Sequence, residues 1–258
     1  MSPSPFQGLA RSVIVTRPAA QAKPLALALE QCGWFPLLYP AIEIEDPENR
    51  NVWDAVMAQL DAYDWVLCVS PSAVDKALSY IRARCELPRH WRFIAMGMGS
   101  ARALAHFGVT PYLVCDPPFD SETLLKMPAL QVSRGERVLI FRGIGGRELL
   151  AQRWRELGAI VEDVSCYQQA KPRWAPTPLF TAWERGEVAA GFFTSSQGVR
   201  YFFAHVGREG QGWLKKTLCI VTHPRVAEQA QALGMLKVKL SSPGDLALIK
   251  TLAQSLST

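Results

Sequence analysis

Six times along this chain a short apolar run passes into a small or hydroxylic loop and then into a segment with helical spacing, at Thr16, Ser70, Gly97, Arg142, Thr194 and Thr222. The runs themselves, such as Val13-Ile14-Val15, Trp65 to Val69 and Val188 to Phe193, are apolar without strict alternation, which is the pattern of strands covered on both faces. Helices between such strands supply the crossovers that parallel pairing needs. The spacing therefore predicts an α/β fold of doubly wound parallel sheets, with the loops gathered at the carboxyl ends of the strands, where sheets of this kind bind ligands. Six units and their connectors divide more naturally into two domains than into one sheet. Two proline-bearing passages mark candidate crossings: Pro36 to Pro40, leading into the acidic connector Glu43 to Arg50, and Lys171 to Pro178.

The most complete unit runs from Arg137 to Tyr167. Val138 to Phe141 is a strand, Arg142 to Gly146 a glycine loop carrying an arginine, and Arg147 to Leu157 a helix with Leu149, Leu150, Trp154 and Leu157 on one side. Gly158 stops that helix and Ile160 to Tyr167 is the next strand.

Composition closes off several function classes. The 258 residues are 49% hydrophobic and 20% charged, enough for a packed core, and the formal net charge of +5 suits an acidic small molecule. Basic residues are scattered, with Lys215-Lys216 the longest lysine pair, so no nucleic-acid track is expected. The six cysteines show no CxxC and several sit inside apolar runs, which reads as reduced, buried thiols. The leading MSPSPFQGLA has no hydrophobic signal core and no apolar run approaches the roughly 18 residues of a membrane span. We expect a soluble, cytoplasmic protein with no membrane partner.

The glycine loops test negatively for nucleotide chemistry. GxGxxG fails at Gly143 to Glu148, where the third glycine position is Glu148, and at Gly97 to Arg102, where it is Arg102. There is no GxxxxGK[ST], no GxSxG elbow and no HExxH, and His90, His106, His205 and His223 do not pair at ligand spacing. What remains is a set of helix N-termini interleaved with hydroxyls and arginines. Exposed amides and the helix dipole favour anions, and Arg17, Arg142 and Arg147 are suited to gripping carboxylates. Taken singly, Thr16, Ser70, Ser100, Ser121, Thr194 and Thr222 read as helix caps; taken together they read as a site for a polyanionic organic substrate. Tyr167 reads as strand-end packing or, with a hydroxyl protonated at neutral pH, as a proton donor. A non-catalytic two-domain protein binding an anionic metabolite, or a nucleotide-sugar transferase, would use the same loops.

The ordered set Val13 to Pro18, Ser70 to Val74, Gly97 to Ala101, Phe119 to Glu122, Arg142 to Leu149, Cys166-Tyr167-Gln168 and Thr194 to Gly198 resembles the uroporphyrinogen-III synthase family over nearly the whole chain, Arg11 to about Leu256. The resemblance implies two doubly wound domains joined by a two-stranded linker, the first discontinuous, about 1–38 plus 172–258, the second about 41–166, with linkers near 38–41 and 167–172. It implies cyclisation of the linear tetrapyrrole hydroxymethylbilane in the cleft, with loss of water and inversion of the last ring, by a monomer with no metal or cofactor. It places Tyr167 as the acid assisting departure of the hydroxyl. It also places Thr16, Arg17, Ser70, Ser100, Glu122, Arg142, Arg147, Ser195, Ser196 and Thr222 around the substrate. The chain departs from the family pattern at Ser100, where threonine is common, and at Thr222-His223-Pro224-Arg225, which replaces a glycine, proline, threonine turn.

Overall fold

The computed structural model describes residues 11–48 and 51–257; MSPSPFQGLA, the Asn49-Arg50 end of the acidic connector and Thr258 lie outside the described residues. In chain order the first elements are β1 (Ser12–Val15), α1 (Ala19–Gln31), β2 (Phe35–Leu38), β3 (Glu43–Glu45), α2 (Asn51–Met57), β4 (Trp65–Cys68) and α3 (Pro71–Arg82). There follow β5 (Arg92–Ala95), α4 (Met98–His106), β6 (Leu113–Val114), α5 (Ser121–Lys126), β7 (Arg137–Gly143), α6 (Leu149–Glu156) and β8 (Ile160–Ala170). The chain finishes with α7 (Thr177–Glu184), β9 (Val188–Phe193), α8 (Ser196–His205), α9 (Gly207–Lys216), β10 (Leu218–Val221), α10 (Pro224–Ala232), β11 (Lys237–Leu240) and α11 (Asp245–Leu256).

These elements form two compact units, one of residues up to Glu43 together with Ala170 onward, the other Ile44–Gln169. The first holds a five-stranded sheet in the order β11-β10-β9-β1-β2, parallel throughout. Its strand order reverses between β1 and β9. The second holds the sheet β3-β8-β7-β4-β5-β6, parallel from β8 to β6. Here the reversal lies between β4 and β7. In each sheet the crevice beyond the carboxyl ends at the reversal is the expected ligand position.

Both faces of each sheet are covered. In the first unit Val13 and Val15 meet Leu25 and Leu29 of α1 and Leu248 and Leu252 of α11, whereas Ile14 points the other way into a cluster with Val199, Phe202 and Val226. In the second, Val66 and Cys68 of β4 pack with Val74 and Leu78 of α3, and Trp65 and Leu67 with Leu150 and Trp154 of α6. Period-two alternation within fully buried strands produces this two-sided packing. The outer strands are protected by composition: β2 carries Pro36, tolerated at an edge, and β11 carries Lys237 and Lys239. Among the described residues no helix is long and apolar enough to cross a membrane.

Several local expectations change. Glu43 to Glu45 is not connector but strand β3, which extends the sheet beyond β8. Helix α9 was not expected, because its glycines obscure the helical spacing of its buried face. Leu149 and Leu157 do not join Leu150 and Trp154 inside; they stay exposed, and the buried face of α6 is Leu150, Ala151 and Trp154. Asp120, not Ser121, caps α5, accepting from Thr123 N–H at 2.9 Å.

Candidate active site

In the unit of residues 44–169 the reversal point is flanked by Ser70, after β4, and Arg142, at the end of β7. Ser70 caps α3 as its sequence position suggests, its Oγ accepting from Ala73 N–H at 3.1 Å. The same Oγ is hydrogen-bonded to the Tyr167 hydroxyl at 3.1 Å, across 97 residues of sequence. Pro71 beside it touches the first turn of α4, where a Cβ on Gly99 would stand 3.2 Å from the Pro71 ring. The N-termini of α3 and α4 therefore lie together. Ser100 is buried within the first turn of α4 and does not cap it, since the cap position is Gly97.

Arg142 turns back on its own loop. Its Nη1 donates to the carbonyl oxygens of Gly146 and Arg147, each at 3.1 Å, and its Nε lies 3.4 Å from an Asp163 carboxylate oxygen. Gly145 adopts φ +76°, the left-handed backbone this turn requires. The guanidinium expected to grip a substrate carboxylate is thus committed to shaping residues 143–147. Arg147 is half exposed and meets Glu122 of α5 at 3.0 Å, so these two candidates form one ion pair.

Tyr167 lies in β8 with its ring buried. Burial is the main influence on its hydroxyl and raises its pKa above the ordinary value of 10.0; hydrogen bonds with Ser70 and Gln169 pull the other way. The phenol is consequently neutral at physiological pH and suited to giving a proton rather than taking one.

In the other unit, β10, β9 and β1 are adjacent, and their loops share one edge of the sheet. Thr16 is buried and its Oγ1 donates to Phe192 O at 2.6 Å, tying β1 to β9; it does not cap α1, whose cap position is Pro18. Arg17 is paired with Asp245, the first residue of α11, at 2.6 Å. Ser195 caps α8, accepting from Gly198 N–H at 3.0 Å. Ser196 Oγ donates to Arg225 O at 3.2 Å, linking the loops after β9 and β10. Thr222 is half-buried in the turn before α10, whose cap is His223, with Nδ1 accepting from Arg225 N–H at 3.1 Å. Removing the Ser195 cap by Ser195→Ala is expected to cost about 1 kcal/mol of stability; urea unfolding unchanged within error would leave Ser195 with no capping role.

Both loop sets therefore lie where parallel sheets take ligands, and they present helix N-termini and hydroxyls. Uroporphyrinogen-III synthase HemD is the family whose model matches residues 23–244. The chain belongs to this family. The uroporphyrinogen-III synthase of Escherichia coli is 28% identical over 236 residues, 91% of this chain and 96% of that protein. The one from Synechococcus elongatus is 29% identical over 209 residues, 78% of this chain and 76% of that protein. Among solved structures, a mutant uroporphyrinogen III synthase from Thermus thermophilus aligns with a TM-score of 0.61 at 21% identity, covering 96% of this chain and 99% of that one. The synthetase from Helicobacter pylori aligns at 0.57 and 14% identity, covering 95% and 99%. At these identities the solved structures support the fold. The family match favours an enzyme of tetrapyrrole biosynthesis over a binding protein for an anionic metabolite.

Sequence reasoning missed Asp163 and Asp245, the carboxylates that neutralise Arg142 and Arg17. Nothing local announces them: Asp245 stands 228 residues from its partner. His223 as a cap was legible in principle, because it precedes Pro224 at the first position of a helix.

Proposed function

We propose that this chain is a hydro-lyase that cyclises hydroxymethylbilane to uroporphyrinogen III, with loss of water and inversion of the terminal ring, acting as a monomer in the cytoplasm. The observation that carries the reading is the neutral phenol of Tyr167, held by Ser70 at the carboxyl edge of a parallel sheet. Tyr167 donates its proton to the departing hydroxyl, which leaves as water. The Ser70 hydroxyl, whose oxygen is engaged by Ala73 N–H, then donates to the phenolate. The resulting azafulvenium cation would close spontaneously to the uninverted isomer, so the remaining task is to hold the terminal ring for attack at its substituted position, which gives a spiro intermediate; the proton released when the last ring regains aromaticity returns to the Tyr167 phenolate. That task is one of orientation.

Carboxylates of the kind this substrate carries suit the amides at the N-termini of α3 and α4 in the unit of residues 44–169, and, in the other unit taken by itself, those of α8 and α10 with the hydroxyls of Ser195, Ser196 and Thr222. Arg147 takes a carboxylate in place of Glu122, and Arg225, exposed at the start of α10, is a second cation for this purpose. Thr16, Arg17 and Arg142 serve by fixing the loops that carry these groups. The direct test supplies freshly made hydroxymethylbilane and separates the isomers. Type III product forming faster than the uncatalysed type I closure is expected; type I alone, at the uncatalysed rate, would sink the reading.

A further inference from the structure

Strands β7 and β8 run in simple register from Arg137 opposite Ile160 to Arg142 opposite Ser165, and then the register shifts so that Gly143 stands opposite Tyr167. Cys166 is the extra residue of a bulge. Because side chains alternate along a strand, one inserted residue moves everything after it to the other face. Without it Tyr167 would follow Val161 and Asp163; with it Tyr167 joins Val164 and Cys166 on the side of α3, in the cluster that contains Ala73, Val74 and Phe141. The bulge is anchored. Cys166 is buried, its thiol pushed up to about 12 chiefly by burial, and its Sγ–H lies 3.2 Å from Arg142 O. Beyond the bulge the ladder resumes with Ile144 N–H donating to Tyr167 O at 2.9 Å.

The turned-over ring needs space at its new partner. A Cβ built on Gly143 would stand 2.7 Å from both Cε2 and Cζ of Tyr167 and 3.1 Å from its hydroxyl oxygen. Contacts that short are not sustained, and the ring is covered by the cluster around α3, so it must move from the position where Ser70 meets it. Gly143 has no left-handed φ to account for it. Close approach of the phenol is what its missing side chain permits.

We propose that Gly143 is a positioning residue of the reaction: together with the Cys166 bulge it lets the Tyr167 ring lie across the end of β7 and fixes the hydroxyl against Ser70. This rests on the synthase reading for its catalytic consequence, but the ring position can be read independently.

The experiment labels the tyrosines with carbon-13 at Cζ, assigns the Tyr167 resonance by its loss in Tyr167→Phe, and compares Gly143→Ala with the unmodified protein. The Tyr167 resonance is expected to shift while the other tyrosines hold their positions. Turnover to type III product falls by about a hundredfold, the scale of a misplaced catalytic group. In a Tyr167→Phe background the same glycine substitution then costs less than about twofold, because its effect passes through a hydroxyl already removed. An unmoved Tyr167 resonance overturns the proposal, as does a loss that multiplies fully in the Tyr167→Phe background. Should Gly143→Ala not fold, Gly143→Ala combined with Tyr167→Ala is expected to be as stable as Tyr167→Ala alone, and a double variant still unfolded overturns the ring contact as the cause. An unmodified protein that yields only the type I isomer defeats the synthase reading by itself; the resonance still decides where Gly143 holds the ring.

Discussion

Tyr167→Phe is expected to lower the rate of uroporphyrinogen III formation by roughly a hundred- to ten-thousand-fold, the usual worth of a positioned general acid. The substitution keeps the ring that fills the space over Gly143 and removes only the hydroxyl bonded to Ser70, so folding is expected to survive. The pH profile gives a second signature. Burial raises the Tyr167 pKa above the ordinary tyrosine value, and a general acid works only while protonated. Activity is therefore lost as pH rises through that raised value, which places the alkaline limb attributable to Tyr167 above about pH 10. The variant lacks this limb. Initial rates with separated isomers measure both effects, and a folded Tyr167→Phe protein with undiminished turnover would remove Tyr167 from the chemistry.

Phe141→Ala is expected to destabilise the unit of residues 44–169 by about 3–5 kcal/mol. Phe141 is fully buried in β7 and stacks on Trp53, with ring centroids 5.7 Å apart and planes 17° from parallel. It lies on the same face as Gly143, in the same cluster as Tyr167, Val74 and Ala77, where helix and neighbouring strands restrict collapse into the vacated space. Against a typical domain stability of about 5–15 kcal/mol this is a large fraction. Denaturant unfolding followed through the tryptophans of this unit measures it, with Leu236→Ala, at a position 75% exposed in the other unit, as a control expected within about 0.5 kcal/mol. A loss below about 1 kcal/mol at Phe141 would contradict the packing described, because cavity creation at so closed a position has no such small value.

The elements most legible in the sequence were those whose signal is local. Apolar runs at β1, β4, β9 and β10 became strands buried on both faces, and Ser70 became a cap because a hydroxyl three residues before a free helix amide has a near neighbour to bond; at α8 the cap is Ser195 and not Thr194, one residue on from the position read in the sequence. The short edge elements were less legible. Strand β3 spans only Glu43–Glu45, with Ile44 as its one apolar residue packed against the core, so the run is too short for alternation to show in the sequence. Helix α9 was hidden because Gly207, Gly210 and Gly212 lower local helix propensity, which burial of Leu214 overrides.

The candidate residues divide in the same way. Their placement on loops at the carboxyl edges follows from strand, loop and helix alternation, which is written into short stretches of chain. Their roles depend on partners far away in sequence. Arg17 and Arg142 have the chemistry to grip carboxylates, yet Asp245 and Asp163 hold them in the fold, and Arg147 shares its charge with Glu122. Which carboxylate meets which arginine is decided by how helices and strands pack, and sequence periodicity carries no record of that. Tyr167 is the sharpest case. By itself the sequence determined a tyrosine at the end of an apolar strand following a glycine loop. Only the tertiary structure decided the face it occupies, because one extra residue in β8 reverses the alternation, and the space it needs exists only where Gly143 lies opposite.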